Sequence, residues 1–449
     1  MSKQKIQLSD HFTYPRLLRF VLPAVGTMLF TSIYGIVDGL CVSNFVGKTA
    51  FAAVNLIMPM PQLLATIGFM LGTGGSAIVG ITLGEGDQKK ADRYFTLFLL
   101  AALVSVSVLA VLGIVFLRPI AVLLGAKGEL LDYAVRYGRI LMVSLPTFAL
   151  QNMFQSFFVT AEKPHLGFWF TVGAGCTNMV LDVLMVGIWG WGVEGAAIAT
   201  FISQLVGGVL PVFYFIDRSN SSRLHLCKTS FYSKVLRDAC INGSSELMTN
   251  LSMSLVNILY NYQLLRLAGE NGVAAYGVIM YAAFLFVAVF VGYAVGSAPI
   301  VSFHYGARNH AEVHNLYRKS LRLIAVVAVT LTLASMFIIP CVARIFVGYD
   351  AELLALTSRA FRLYALSFLI MGFNVYASSF FTALGDGVTS ALISFLRTLA
   401  FQVIAILLLP LLLGIDGIWL AVTAAELAAL AVSAAMLLTK DKMFHYRKA

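Results

Sequence analysis

Four carboxyl groups stand inside long apolar stretches of the chain: Asp38 in SIYGIVDGLCVSNF, Asp182 in TNMVLDVLMV, Glu246 in GSSELMTNLS and Glu426 in AVTAAELAAL. A charge at the centre of a bilayer costs at least ~2.5 kcal/mol, so an acid kept there usually faces a functional interior. Asn178 precedes Asp182 by four residues and shares its helical face. Counted from the nearest turns, Asp38 is nine residues before Gly47, Asp182 about nine before Gly190 to Gly192, and Thr200 about nine after it. At ~1.5 Å per residue all three lie ~13 Å inside the same membrane face. Asp38, Asp182, Asn178 and Thr200 can therefore converge in one layer. There they supply the oxygen ligands that a Na⁺ or a shared proton needs, with Asp38 and Asp182 as the candidate metal ligands. The competing reading is that the four staple helices together through hydrogen bonds.

An internal duplication bears on that choice. Shifting residues 1 to 222 forward by 222 positions lays Ala52, Ala53, Ile57 and Met58 on Ala274, Ala275, Ile279 and Met280, and Gly192, Gly195 and Ala199 on Gly414, Gly417 and Ala421. Under the same shift Asp38 becomes Tyr260, Asp182 becomes Ile404, Asn178 becomes Ala400 and Thr200 becomes Val422. The second copy builds the same scaffold without the acids, which favours a functional role for them.

Glu246 belongs to a different layer, with Asn250 one turn further on and Asn257 beyond it. It is expected either to meet substrate as a second acid or to be hydrogen-bonded among Ser244, Ser245 and the helix end. Tyr34, Tyr260, Tyr262, Phe373 and Tyr376 are candidates for an aromatic lining that holds flat cations. Glu426, among alanines and leucines, reads as a protonated packing residue with no partner evident. Arg397 either snorkels or pairs with an acid across the bundle. Pro23 removes a backbone hydrogen bond inside the first apolar stretch, which makes it either a place where that helix bends or a static kink.

The elements that must position these groups are membrane helices. With 59% hydrophobic and 12% charged residues and a mean hydropathy of +0.87, the chain has too little polar surface for a soluble globule of 449 residues. Apolar stretches at about 17–41, 51–81, 94–117, 134–158, 166–189, 193–216, 238–265, 273–302, 322–343, 360–383, 388–413 and 415–438 are each long enough to cross ~30 Å of hydrocarbon. The expected fold is all-α, with twelve transmembrane helices in two parallel six-helix repeats around a central cleft. Residues 1–216 form an N-terminal lobe, 217–237 a polar, basic linker, and 238–449 a C-terminal lobe. No cleavable leader is evident.

If the N-terminus is cytoplasmic, that face holds 21 of the 31 lysines and arginines, Lys3, Lys5, Arg447 and Lys448 among them. The positive-inside rule therefore puts both termini in the cytoplasm. This asymmetry and attraction to membrane lipids explain the net charge of +10 without a nucleic acid partner. The five cysteines, Cys41 included, are odd in number and scattered, so they suggest neither a disulfide framework nor a metal site. Ser76, Ser297 and His304 are the only tempting members of an intramembrane hydrolase and are badly placed to pair, so no enzyme is expected. No cofactor is expected beyond a coupling ion.

On Pro23, on SIYGIVDGLCVSNFVG around Asp38, on TNMVLDVLMVGIWGWGVEGAAIAT with Asn178, Asp182 and Thr200, on QSFFVTAEKP with its echo SSFFTALGDG, and on GSSELMTNLS around Glu246, the chain resembles the multidrug and toxic compound extrusion family. The likeness covers essentially the whole chain. It implies a two-lobed exporter of the cell membrane that exchanges Na⁺ or H⁺ for organic cations, with Asp38, Asn178, Asp182 and Thr200 as the N-lobe cation site. In some branches an acid matching Glu246 serves the C-lobe. Some relatives carry a further acid in helix 10, where this chain offers Asn374. The alternative cargo is a lipid-linked precursor moved by a flippase, which calls for a cleft lined by Arg or Lys. The acids favour cationic cargo, carried by a monomer.

Overall fold

The computed structural model describes residues 6–46, 48–348 and 350–446. Lys3, Lys5, Gly47, Arg447 and Lys448, and the side chain of Cys41, lie outside it. Twelve helices cross the membrane, in two bundles of six.

In the N-terminal lobe, α1 is Tyr14–Phe45, α2 is Pro59–Gly84, α3 is Gln88–Leu123 and α4 is Gly128–Thr160. A short helix, Lys48–Ile57, precedes α2. Next, α5 runs Pro164–Asp182 and continues through a π-helical turn, Val183–Ile188, while α6 is Gly192–Gly208 extended by Leu210–Ile216. In the C-terminal lobe, α7 and α8 are the two arms of Ser233–Gly306, broken at Gly269, whose φ of 61° no helix allows. There follow α9, His310–Val347, and α10, made of Ala351–Ala365 and Phe368–Ala383 bent by 46°. The last two are α11, from Gly387–Phe395 through a π-helical turn at Leu396–Ala400 to Phe401–Leu413, and α12, Ile415–Thr439. Of these, only α4, with Arg136 and Arg139 among its 33 residues, is not apolar enough to be picked out as a span by hydropathy.

The repeat is legible at the helix ends. Asp87 caps α3 by accepting from the Lys90 amide at 3.0 Å, and Asn309, at the matching position, caps α9 by accepting from the Glu312 amide at 3.1 Å. The α5–α6 turn uses Gly190 and Gly192 at φ 68° and 60°, and Gly414, the mate of Gly192, makes the α11–α12 turn at φ 59°. Gly86 at φ 88° is answered by Arg308 at φ 55°, so the second copy holds the same turn without glycine.

The lobes join on the face that carries both termini. Gly74 and Gly84 of α2 and Gly243 and Gly306 of the second lobe let the backbones meet: a Cβ at these positions would strike the carbonyls of Ala239, Phe303, Met70 and Ile81 in turn. The core on this side is shared, running from Leu8 and Phe12 through Phe95, Phe157 and Phe215 to Ile300, Phe380 and Tyr446. Towards the other face each lobe has a core of its own. Tyr260, Phe361 and Trp419 centre one of them, and Ile57, Tyr137 and Leu141 the other. A shared core at one end and separate cores at the other make a cleft closed on the termini side.

Two straps reinforce the closed side. The segment before α1 donates the Leu8 amide to Glu162 Oε1 at 2.8 Å and the Phe12 amide to Glu312 Oε1 at 2.8 Å, so it ties the α4–α5 loop to α9. The connection between lobes is non-helical over 217–232 and lies along the start of α3: the His225 amide donates to Asp92 Oδ1 and the Cys227 amide to Thr96 Oγ1. Arg223 pairs with Glu162 at 2.6 Å and lays its guanidinium over the Phe303 ring. Residues 233–237, read as linker from their polarity, already belong to α7.

Candidate functional site

Asp38 lies near the far end of α1, Asn178 and Asp182 on successive turns of α5, and Thr200 on α6. The antiparallel packing of α5 and α6 through their glycine turn brings the last three together. Asp38 faces both Asp182 and Asn178, and the Asn178 amide reaches the Thr200 hydroxyl at 3.5 Å. The four residues that spacing placed in one layer do meet.

Their oxygens are under-satisfied. Asp182 is completely buried, and both its carboxyl oxygens, Asp38 Oδ1 and Asn178 Oδ1 are enclosed with no hydrogen-bond partner. Buried polar atoms are nearly always paired, so four such oxygens in one place call for a guest. A small hard cation or a proton shared between carboxylates fits that donor set. No third His, Cys, Asp or Glu joins them among the described residues. The π-helical turn that begins at Val183 follows Asp182 directly, and such turns recur at functional sites because they widen the helix locally.

Two further residues complete this site. Tyr137 of α4 faces both Asp38 and Asp182, with its hydroxyl 3.9 Å from Met58 Sδ. Tyr34 of α1 lies within range of the Asp38 charge and near Gln151. Sequence reasoning put Tyr34 in the substrate cleft and gave Tyr137 and Gln151 no role. Nothing about an isolated tyrosine in GELLDYAVRYGRIL marks it, because its approach to the acids depends on how α4 crosses α1 and α5.

A cavity of about 300 Å³ lies in the C-terminal lobe against the N-lobe residues Thr73, Ser76 and Ser156. Glu246 opens onto it, as do Asn257, Tyr260, Tyr276 and Tyr364. Tyr260 stacks on Tyr276 with centroids 5.0 Å apart, and the Tyr276 hydroxyl donates to Asn257 Oδ1 at 2.6 Å. Among the described residues the Glu246 carboxyl has no hydrogen-bonding side chain: Ser244 spends its hydroxyl on the Ile241 carbonyl. Glu246 thus stands as an acid facing a cavity rather than as a group satisfied by its own helix.

Several sequence expectations need correction here. Asn250 does not line the cavity; its amide donates back to the Glu246 carbonyl at 2.9 Å. Tyr34 lies in the N-lobe cluster, Tyr376 packs at 6.2 Å from Tyr293 in the shared core, and neither they nor Tyr262 and Phe373 line the cavity, so of the five aromatics only Tyr260 does. Glu426 is no partnerless packing residue. Arg397 Nε pairs with its Oε1 at 2.8 Å, and the Asn374 amide donates to its Oε2 at 2.7 Å. Pro23 does fall inside α1, where the Thr27 hydroxyl donates to its carbonyl at 2.9 Å. Ser76 and Ser297 spend their hydroxyls on carbonyls of their own helices.

The sequence pattern of the MatE family matches the chain twice, over residues 23–184 and again over 247–408, once per lobe. The chain belongs to the MatE family. MatE proteins are transporters and not enzymes, so this chain is a multi-pass membrane transporter of that family. It is similar to the multidrug export protein MepA of Staphylococcus saprophyticus, with 21% identity over 433 residues that cover 95% of this chain and 94% of the relative. Among solved structures, a MATE in the straight conformation superposes with a TM-score of 0.91 at 22% identity over all of both chains. A MATE in the bent conformation gives 0.86 at 23% identity over 96% of this chain and 95% of that one. At these identities the superpositions concern the fold shared by MatE proteins.

Proposed function

We propose that the chain is a cation-coupled exporter of organic cations, in which Na⁺ or H⁺ enters the N-lobe site as the counter-transported substrate. The observation that carries this reading is the set of four enclosed, unpartnered oxygens on Asp38, Asn178 and Asp182. An ion arriving there gains differentially in the state that encloses it, and that difference biases the two-lobed cleft between its openings. Cargo is assigned to the C-lobe cavity, where Glu246 attracts a positive charge and Tyr260, Tyr276 and Tyr364 offer ring faces to a flat cation. The single basic residue lining that cavity, Arg397, is paired with Glu426, so an anionic lipid-linked cargo finds no free cation there among the described residues.

The reading includes residence in the cell membrane as a monomer among lipids; the positive-inside rule puts both termini in the cytoplasm, which makes the cleft of this conformation face outward. The test is dye efflux from proteoliposomes under an imposed Na⁺ gradient and, separately, a pH gradient. Wild type should respond to one of them and Asp182→Asn to neither, while retaining dye binding. Efflux by Asp182→Asn at the wild-type rate would remove the N-lobe from the coupling.

A further inference from the structure

The C-lobe cavity contains three charged residues, Glu246, Arg397 and Glu426. They are not equivalent. Glu426, with 1% of its side chain exposed, is held from three sides: by Arg397 Nε, by the Asn374 amide, and through the Ser433 hydroxyl, which donates to Asn374 Oδ1 at 2.9 Å and fixes the amide's orientation. The Asn374 amide also bonds the Glu426 carbonyl at 2.9 Å, which locks α10 to α12 at that point. Arg397, 12% exposed and set in the π-helical turn of α11, turns its Nε to Glu426, and Glu246 lies within reach of its charge. The pair is neutral as a unit, which leaves Glu246 as the one acid without a partner.

The duplication shows that this pair is not a demand of the scaffold. At the matching positions of the N-lobe, Asn374 is answered by Asn152, Glu426 by Gln204 and Arg397 by Gly175. The first copy therefore carries an uncharged amide pair where the second carries a carboxylate and its arginine. Asn152 and Gln204 are buried like their mates.

We infer that Arg397 and Glu426 together set the charge of the cargo: by cancelling one another they leave a single negative charge, on Glu246, so that the cavity selects organic monocations over dications. The inference rests on the cation-export reading above. In a cavity lined mainly by apolar side chains each unit of uncompensated charge is felt by a ligand several ångströms away, and a change on the order of tenfold in affinity is expected for each unit altered. Removing the arginine charge leaves two carboxylates and favours a dication. Removing the Glu426 charge leaves a neutral cavity and disfavours every cation. Removing both restores one negative charge.

The experiment compares ethidium and propidium, which share a phenanthridinium ring but carry one and two positive charges, by fluorescence titration of the purified full-length protein in lipid nanodiscs. Wild type should bind ethidium the more tightly. Arg397→Gln should shift the ethidium-to-propidium preference about tenfold towards propidium, and Glu426→Gln should weaken both dyes about tenfold. The double variant Arg397→Gln/Glu426→Gln should return to the wild-type preference and keeps the idea testable if a single variant misfolds. Wild-type binding with a preference unmoved by all three variants overturns the assignment and leaves cation export standing. Binding of neither dye by wild type removes the export reading and this assignment with it.

Discussion

At the scale of single residues the two lobes handle buried polarity in opposite ways. The N-lobe leaves oxygens of Asp38, Asn178 and Asp182 open, whereas the C-lobe closes Glu426 with Arg397, Asn374 and Ser433. Removal of one partner from each should accordingly do different things. Asn178→Ala takes one oxygen from the cluster and should cut gradient-driven efflux several-fold while barely moving thermal stability, as read by efflux and by a melting curve on the same preparation. Arg397→Ala strands a buried carboxylate and should cost about 3–5 kcal/mol, seen as a lowered Tm. The N-lobe cluster was legible in the sequence because helix periodicity and distance from a glycine turn locate a residue in depth and on a face. Tyr137 was not, and for Arg397 an acid across the bundle was one of two readings with Glu426 left unnamed, because which faces of α4, α11 and α12 turn inward is decided by packing between helices far apart in the chain.

At the scale of elements, the two copies solve the α5–α6 and α11–α12 turns with the same device. The Gly190–Gly192 and Gly414 turns put glycine where φ is positive, and an L-residue there costs roughly 1–2 kcal/mol. Gly414→Ala should lower stability by that amount without touching either site, which a melting curve with intact dye binding would show. The α2 glycines are a matter of space rather than φ. Gly84 sits against the Phe303 carbonyl, so Gly84→Leu forbids the close approach of α2 and α8. Spin labels placed on the two lobes at the termini face should then report a longer separation, and an unchanged distance would show that the seal does not depend on this contact. Hydropathy located the spans other than α4, yet two of their features are invisible to it. The 46° bend of α10 and the π-helical turns of α5 and α11 coincide with no proline, the usual sequence mark of a break.

At the scale of the whole molecule the cleft is closed at the end where the lobes share a core and where both straps lie. Glu162 receives the Leu8 amide and Arg223 together, and Glu312 receives His11, the Phe12 amide and Asn315, so two acids gather the termini face. Glu312→Ala should loosen that face and shift the population towards the opposite opening, measured as faster labelling of cysteines introduced along the cleft from the termini side. The strap is also an appointment kept late in the life of the chain. Phe12 leaves the ribosome 300 residues ahead of its partner Glu312, so until the start of α9 is made this segment is held only at Leu8, by Glu162. A finished N-lobe sits in the bilayer with only the Glu162 half of this fastening made until the start of α9 emerges, and a chain arrested before that point remains a half-latched half-transporter.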